Sequence, residues 1–277
     1  MRAVAVAYPG PPGSHASAAA AVLFPAEDRV PLTGFRAVAD SVSAADMTHG
    51  VLPIESSLAG PVAETHDLLH DHALSIVAEA VLPIRHCLAA PREVPLEEIR
   101  IVHSHPTALE QCRRLLERMP NASVLPAPTT AEAAQAVAEA GDPTHAAIAG
   151  NEAVSLYGLT VVADDVGDGP AFTRFVSIAP YTLVRVPWEQ SRISFSFVTD
   201  HRPGALHAAI EPFAHKGLDL VRLVARPIPH SPFSYRFDAV VSGHPLDTTV
   251  REALAELADR TRSHRILGVY EAARETE

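Results

Sequence analysis

Short apolar runs broken by turn-forming residues alternate, through the first two-thirds of the chain, with Ala-rich or amphipathic stretches. Residues 2–8 (RAVAVAY) read as a β-strand, the Gly/Pro-rich residues that follow as a loop, and Ser14 to Phe24 as a helix. The same succession recurs at 50–54 followed by 61–70, and at 100–103 followed by 106–118. Residues 124–126 lead through Thr129 and Thr130 into a helix over 131–140, and either threonine suits its N-cap. Residues 145–149 are again strand-like. Strands alternating with helices of this length predict an α/β fold with a largely parallel sheet.

The pattern changes after Pro180, where Pro187, Trp188 and Glu189 mark a connecting segment. Residues 192–199 (RISFSFVT) alternate like a half-buried strand, a turn follows at 200–204, and 205–216 reads as a helix. Strands at 218–226 and 234–242, a helix at 248–259 and a last strand at 263–270 complete a βαββαβ order, the ferredoxin-like split βαβ. The expected division is an α/β domain over residues 1–182, a linker over 183–190 and an α+β domain over 191–277.

Composition narrows the function class. The chain has 277 residues, 47% hydrophobic and 20% charged, ordinary for a soluble globular protein of one large or two medium domains. Cys87 and Cys112 sit in no metal-ligand or disulfide spacing, which fits a reducing cytoplasm and argues against a metal. A net charge of −11 argues against nucleic acid as a partner, whose phosphates call for a basic stripe. It leaves room for a small anionic substrate, since helix N-termini or a few local donors can serve one pocket. No stretch approaches the roughly 20 apolar residues of a membrane span, and the first residues are too short an apolar run for a secretory signal.

Several motifs then fall in order. Tyr8 to Ser14 (YPGPPGS) resembles the GPEG[ST] loop that follows strand one of prephenate dehydratases, and 51–60 (VLPIESSLAG) their VPIENSxxG block, continued by 62–69 (VAETHDLL). His103 to Pro106 with Gln111-Cys112 resembles SHPQ…QC, 129–134 (TTAEAA) resembles TSTAxAA, and Tyr157-Gly158-Leu159 and Thr173-Arg174-Phe175 match the family's YGL and TRF. After residue 190, Gly204 to His207 is similar to the GALH turn of an ACT regulatory domain, and 223–227 lies where the family has an IESRP stretch.

The resemblance implies a two-lobed, periplasmic-binding-protein-like catalytic domain with a cleft, followed by a ferredoxin-like ACT domain. It implies loss of water and CO2 from prephenate to give phenylpyruvate, in phenylalanine biosynthesis, with no cofactor. It assigns the hydroxyl donor to Thr173, and the substrate cleft to Ser104 and Gln111. Arg174 is expected to orient the cleft or to form a surface ion pair. Glu55 is expected to position a loop or to be a helix-start carboxylate. Ser14, Thr129 and Thr130 stand at helix starts, where each binds a carboxylate or only caps. Ser104 has the same two readings. Gly204, Ala205 and Leu206, with Arg226, mark an effector site for an amino acid such as phenylalanine at an interface between paired ACT domains, so a homodimer or homotetramer is expected.

The departures from the family pattern define the alternatives. Ser56 replaces the Asn after Pro-Ile-Glu, Pro12 the Glu of GPEG, His15 the Phe after it, Thr107 the Gln of SHPQ, Ala171 an Asn, and Val224-Ala225 the Glu-Ser of ESRP. The last change predicts weak or altered feedback inhibition. The cleft changes leave open a prephenate decarboxylase that does not aromatise its product. An arogenate dehydratase and a catalytically dead amino-acid sensor also stay open. The retained Thr173 favours dehydration, because a decarboxylase that keeps the ring hydroxyl has no use for a donor beside it.

Overall fold

The computed structural model of the chain describes residues 4–181 and 186–273. The end of the expected catalytic domain, residue 182, and linker residues 183–185 lie outside the described residues, as do 1–3 and 274–277. Residues 186–190 carry no helix or strand.

The chain begins with β1 (Ala5–Pro9), α1 (His15–Leu23), β2 (Asp28–Leu32), α2 (Gly34–Ser43), β3 (His49–Ser56), β4 (Gly60–Pro61), α3 (Ala63–Asp71) and β5 (Ser75–Pro83). It then forms a second lobe from β6 (Cys87–Ala90), β7 (Ile101–Ser104), α4 (Pro106–Gln111), α5 (Arg113–Glu117), β8 (Ser123–Pro126), α6 (Thr130–Ala140), β9 (His145–Ala149), α7 (Asn151–Leu156) and β10 (Thr160–Ala163). It returns to the first lobe through β11 (Phe172–Ala179). The C-terminal unit is β12 (Ser191–Val198), α8 (Ala205–His215), β13 (Leu220–Pro227), β14 (Tyr235–Ser242), α9 (Thr248–Asp259) and β15 (Ser263–Glu271).

Among the described residues two sheets form. One is ten-stranded, in the order β13-β14-β12-β15-β5-β11-β3-β1-β2 with β4 on β3; the other is five-stranded, β10-β6-β9-β7-β8. The expectation of a largely parallel sheet is corrected. β1 runs parallel to β2 and β3, and β7 to β8 and β9, but β11 is antiparallel to both β3 and β5, and β6 to both β9 and β10. The physical reason is the crossing between lobes: a strand that comes back from the other lobe needs no crossover helix, so it can enter in either direction.

The C-terminal unit has the expected ferredoxin-like topology, with the four strands antiparallel and the pairs of the βαβ halves interleaved. Its core of Phe195, Phe197, Phe213, Val241, Val250 and Leu257 is separate from those of the lobes. It joins the first lobe's sheet through β15 and β5, where Gly268 pairs with Ile76. A Cβ on Gly268 would stand 2.1 Å from the Ile76 carbonyl oxygen, so this approach requires glycine. The lobes themselves meet at Gly13, where a Cβ would stand 2.9 Å from Ala153 Cα, and where Tyr157 Oη donates to the Pro12 carbonyl at 3.2 Å.

Candidate active site

A cavity of about 880 Å³ lies between the two lobes, a size that suits a small molecule. The β1–α1 loop, the start of α2, the end of β3 and the start of β11 form one wall; α4, the start of α6 and the β5–β6 connection form the other. Its polar lining includes Ser14, Ser56, His15, His86, His105, Thr107, Gln111, Thr129, Thr130 and Thr173. Among the described residues no lysine or arginine lines it, while Glu64 and Glu132 do.

The predicted site residues separate into two groups. Ser14, Ser56, Gln111, Thr129, Thr130 and Thr173 line the cavity. Ser14 caps α1, accepting from Ser17 N at 3.2 Å, and Thr129 rather than Thr130 caps α6, accepting from Glu132 N at 3.0 Å. Those caps direct two helix N-termini, with their free N–H groups and positive dipole ends, at the cavity wall. Ser56 Oγ accepts from Leu58 N and Ala59 N at 3.3 and 3.2 Å, which ties it to its own turn. Thr173 sits on β11 opposite Ser56 of β3, and its hydroxyl bonds to no described residue.

Ser104, Glu55 and Arg174 do not line the cavity. Ser104 is fully buried and donates to the Ile148 carbonyl at 2.7 Å, holding β7 to β9. Side chains alternate along β11, so with Thr173 and Phe175 facing the cavity Arg174 faces the other side of the sheet. There it donates to Glu55 at 3.2 Å and Glu79 at 3.1 Å. Burial opposes its charge, but Glu79 and Glu55 more than offset that and hold its guanidinium above its usual pKa. The family pattern places these residues near the reaction without giving their direction; strand parity supplies it.

The histidines carried no functional assignment from the sequence, yet three stand in the cavity wall. His86 is 4% exposed, and its Nε2 lies 3.1 Å from Gln111 Oε1. An amide oxygen only accepts, so His86 carries its proton on Nε2. Its Nδ1 is then an acceptor, buried and without a partner. The same contact leaves the Gln111 amide N–H2 free to donate. His15 meets His86 edge-on, ring centroids 5.8 Å apart. Burial, then repulsion from His86, lowers His15 to a pKa of about 4. Burial also lowers His86, against the Gln111 hydrogen bond, and lowers His105, whose Nδ1 caps α4 by accepting from Thr107 N at 3.2 Å. A polar His between β5 and β6 carries no periodicity signal; only its neighbourhood with Gln111 reveals it.

Of the predicted effector residues, Gly204 has a φ of +77 and turns the chain into α8, while Ala205 and Leu206 line a second cavity of about 600 Å³ with Phe233, Tyr235 and Arg262. Arg226 does not line that cavity. It pairs with Asp67 of α3 at 2.6 Å, beside Arg236, Asp238 and His66, and so ties the C-terminal unit to the first lobe. Among the described residues no cluster of ligating side chains suits a metal ion.

Two α/β lobes around a hydroxyl-lined cleft with no lysine or arginine among its described lining residues, and a ferredoxin-like unit docked on one sheet, describe a two-part protein built around a small-molecule site. Residues 6–182 match the family model for prephenate dehydratase, and the chain belongs to that family. It is 32% identical to arogenate dehydratase/prephenate dehydratase 1 of Arabidopsis thaliana, over 96% of this chain and 72% of that protein. The solved prephenate dehydratase from Arthrobacter aurescens, in complex with L-Phe, superposes with a TM-score of 0.87 at 32% identity, covering 98% of this chain and 90% of that one. GqqA, described as a novel type of quorum-quenching acylase, superposes with a TM-score of 0.88 at 30% identity, covering 97% and 98%.

Proposed function

We propose that the chain is a lyase converting prephenate to phenylpyruvate, with loss of water and CO2, in phenylalanine biosynthesis. The observation that carries this reading is the unpartnered Thr173 hydroxyl in a cavity walled by helix N-termini. In the reaction the bond from the ring to its carboxylate breaks as CO2 leaves. Its electron pair enters the ring, and the ring C–O bond breaks on the opposite side. The departing hydroxide takes a proton and leaves as water. Aromatisation supplies the driving force, so no covalent nucleophile or redox group is needed.

Thr173 donates a hydrogen bond that strengthens as charge develops on the leaving oxygen. Its hydroxyl does not deliver a free proton, since its acidity lies far from neutral; the proton comes finally from solvent or substrate. The carboxylates are held by amide donors at the starts of α1 and α6 and by the Gln111 amide. Burial favours the neutral forms of His15 and His86, and His86 positions Gln111. Incubating the protein with prephenate and identifying the product tests the reading.

Arogenate, with an ammonium where prephenate has a keto oxygen, is a second substrate favoured by the carboxylates of Glu64 and Glu132 in the cavity wall. An acylase reading, which the likeness to GqqA raises, finds less support. Hydrolysis of an acyl bond calls for a nucleophile held by a base. Among the described residues no histidine hydrogen-bonds a hydroxyl that lines the cavity.

The C-terminal unit is read as an ACT domain that takes an amino-acid effector near Ala205 and Leu206 and pairs with a second copy, giving a dimer or tetramer. With Val224-Ala225 on β13, inhibition by phenylalanine is expected to be weak. The two cysteines are free and buried, which suits a reducing cytoplasm. No helix of the described residues is long and apolar enough to cross a membrane.

A further inference from the structure

Behind the cavity wall lies a cluster of five charged side chains shared by two parts of the molecule. Arg174 of β11 bonds both Glu55 of β3 and Glu79 of β5. Glu79 is also bonded by Arg192 of β12 at 2.5 Å and by Ala273 N at 2.8 Å, and Glu55 stands 3.5 Å from Arg222 of β13. Each carboxylate is therefore shared between the lobe's own arginine and one from the C-terminal unit. The Glu79 side chain is 1% exposed, so its contacts are sheltered from solvent screening, while Glu55, at 34% exposed, sits at the rim of the cluster beside Arg222 at 9%.

Two cavity residues are each the chain neighbour of a cluster member. Thr173 precedes Arg174, Ser56 follows Glu55, and Thr173 pairs with Ser56 across the strands. The ladder is irregular at this point, because Arg174 pairs with Glu55 while Phe175 pairs with Pro53. A bulge leaves the local backbone less determined by its ladder and re-aims nearby side chains. The ion cluster supplies the constraint that the ladder does not.

We infer that Arg192 and Arg222 of the C-terminal unit are positioning residues for Thr173, acting through Glu79 and Glu55 on Arg174. This rests on the dehydratase reading given above. A side chain aimed at a leaving group loses much of its effect when displaced by a fraction of an ångström to an ångström, on the order of a hundredfold in rate at the upper end. The active site is then completed by a unit that contributes no residue to it.

The test uses the full chain and prephenate. Arg222→Met is expected to lower kcat about tenfold or more while KM stays within about threefold, with Arg222→Lys restoring most of the rate. Glu55→Gln keeps the shape, should fold as the parent does, and is expected to lower kcat in the same way. In a Thr173→Ala background either change should have no further effect, since the residue through which it acts is gone. A folded Arg222→Met or Glu55→Gln protein with unchanged kcat, or a loss of equal size with and without Thr173, overturns the inference. If Arg222→Met does not fold, Glu55→Gln decides. A parent chain that leaves prephenate untouched overturns the functional reading and this inference together, an outcome told apart by the parent alone.

Discussion

His86 Nε2 stands 3.1 Å from Gln111 Oε1, which fixes both the tautomer of the ring and the direction of the amide. Replacing His86 by Phe keeps the volume and removes the donor, so Gln111 is no longer held with its N–H2 toward the cavity. The expected result is a KM for prephenate raised about tenfold, the loss of roughly one hydrogen bond to a charged group, with a smaller change in kcat. Steady-state kinetics on the purified variant checks it.

Thr173→Ala is expected to lower kcat by about 10²–10³-fold, the effect of removing one donor aimed at developing charge. Binding of a substrate analogue, measured by calorimetry, should change little. Thr173→Ser should retain a substantial part of the rate. Unchanged turnover in Thr173→Ala would remove Thr173 from the mechanism.

Much of this fold was legible in the sequence, and the illegible part has physical causes. β12 (SRISFSFV) alternates polar and apolar residues, and the Ala-rich helices α1 and α6 follow capping residues, so both stand out in the sequence. β2 (DRVPL) did not, because it is a polar edge strand containing Pro31. β5 (SIVAEAVLP) lies in the sheet interior with Glu79 buried in its middle, a charge that masks a strand until Arg174 and Arg192 are placed around it. The helix expected over 106–118 breaks at Cys112, whose φ of −124 and ψ of 34 are not helical. Within the site, motif order located the strands but not the faces. Thr173 and Arg174 are adjacent in the motif and lie on opposite sides of the sheet.

His15 makes stability pH-dependent. Its folded pKa of about 4 is below its ordinary value of 6.5, so the unfolded chain takes up the proton first. Its contribution is intact above about pH 6.5 and is lost as pH falls toward 4. His15→Phe removes this linkage. Between about pH 7.5 and pH 5 the variant should lose about 1–2 kcal/mol less stability than the parent, as 1.36 kcal/mol per pKa unit implies. Urea denaturation at the two pH values measures the difference.

Gly268→Ala tests how the C-terminal unit docks. The new methyl would overlap the Ile76 carbonyl oxygen, so β15 must move away from β5. The expected cost is about 3–5 kcal/mol, at the severe end for a single substitution. Thermal unfolding should show a large drop in Tm, and turnover should fall with it because Arg192 and Arg222 move too.

In the proposed reaction this cavity dehydrates and decarboxylates prephenate as its ring becomes aromatic. The most direct measurement incubates the purified chain with prephenate and identifies the product by its ultraviolet spectrum and mass. Phenylpyruvate is the expected product, formed at a rate that collapses in Thr173→Ala. A decarboxylated product that keeps the ring hydroxyl, or intact prephenate beside hydrolysis of an acyl amide, would contradict this reaction.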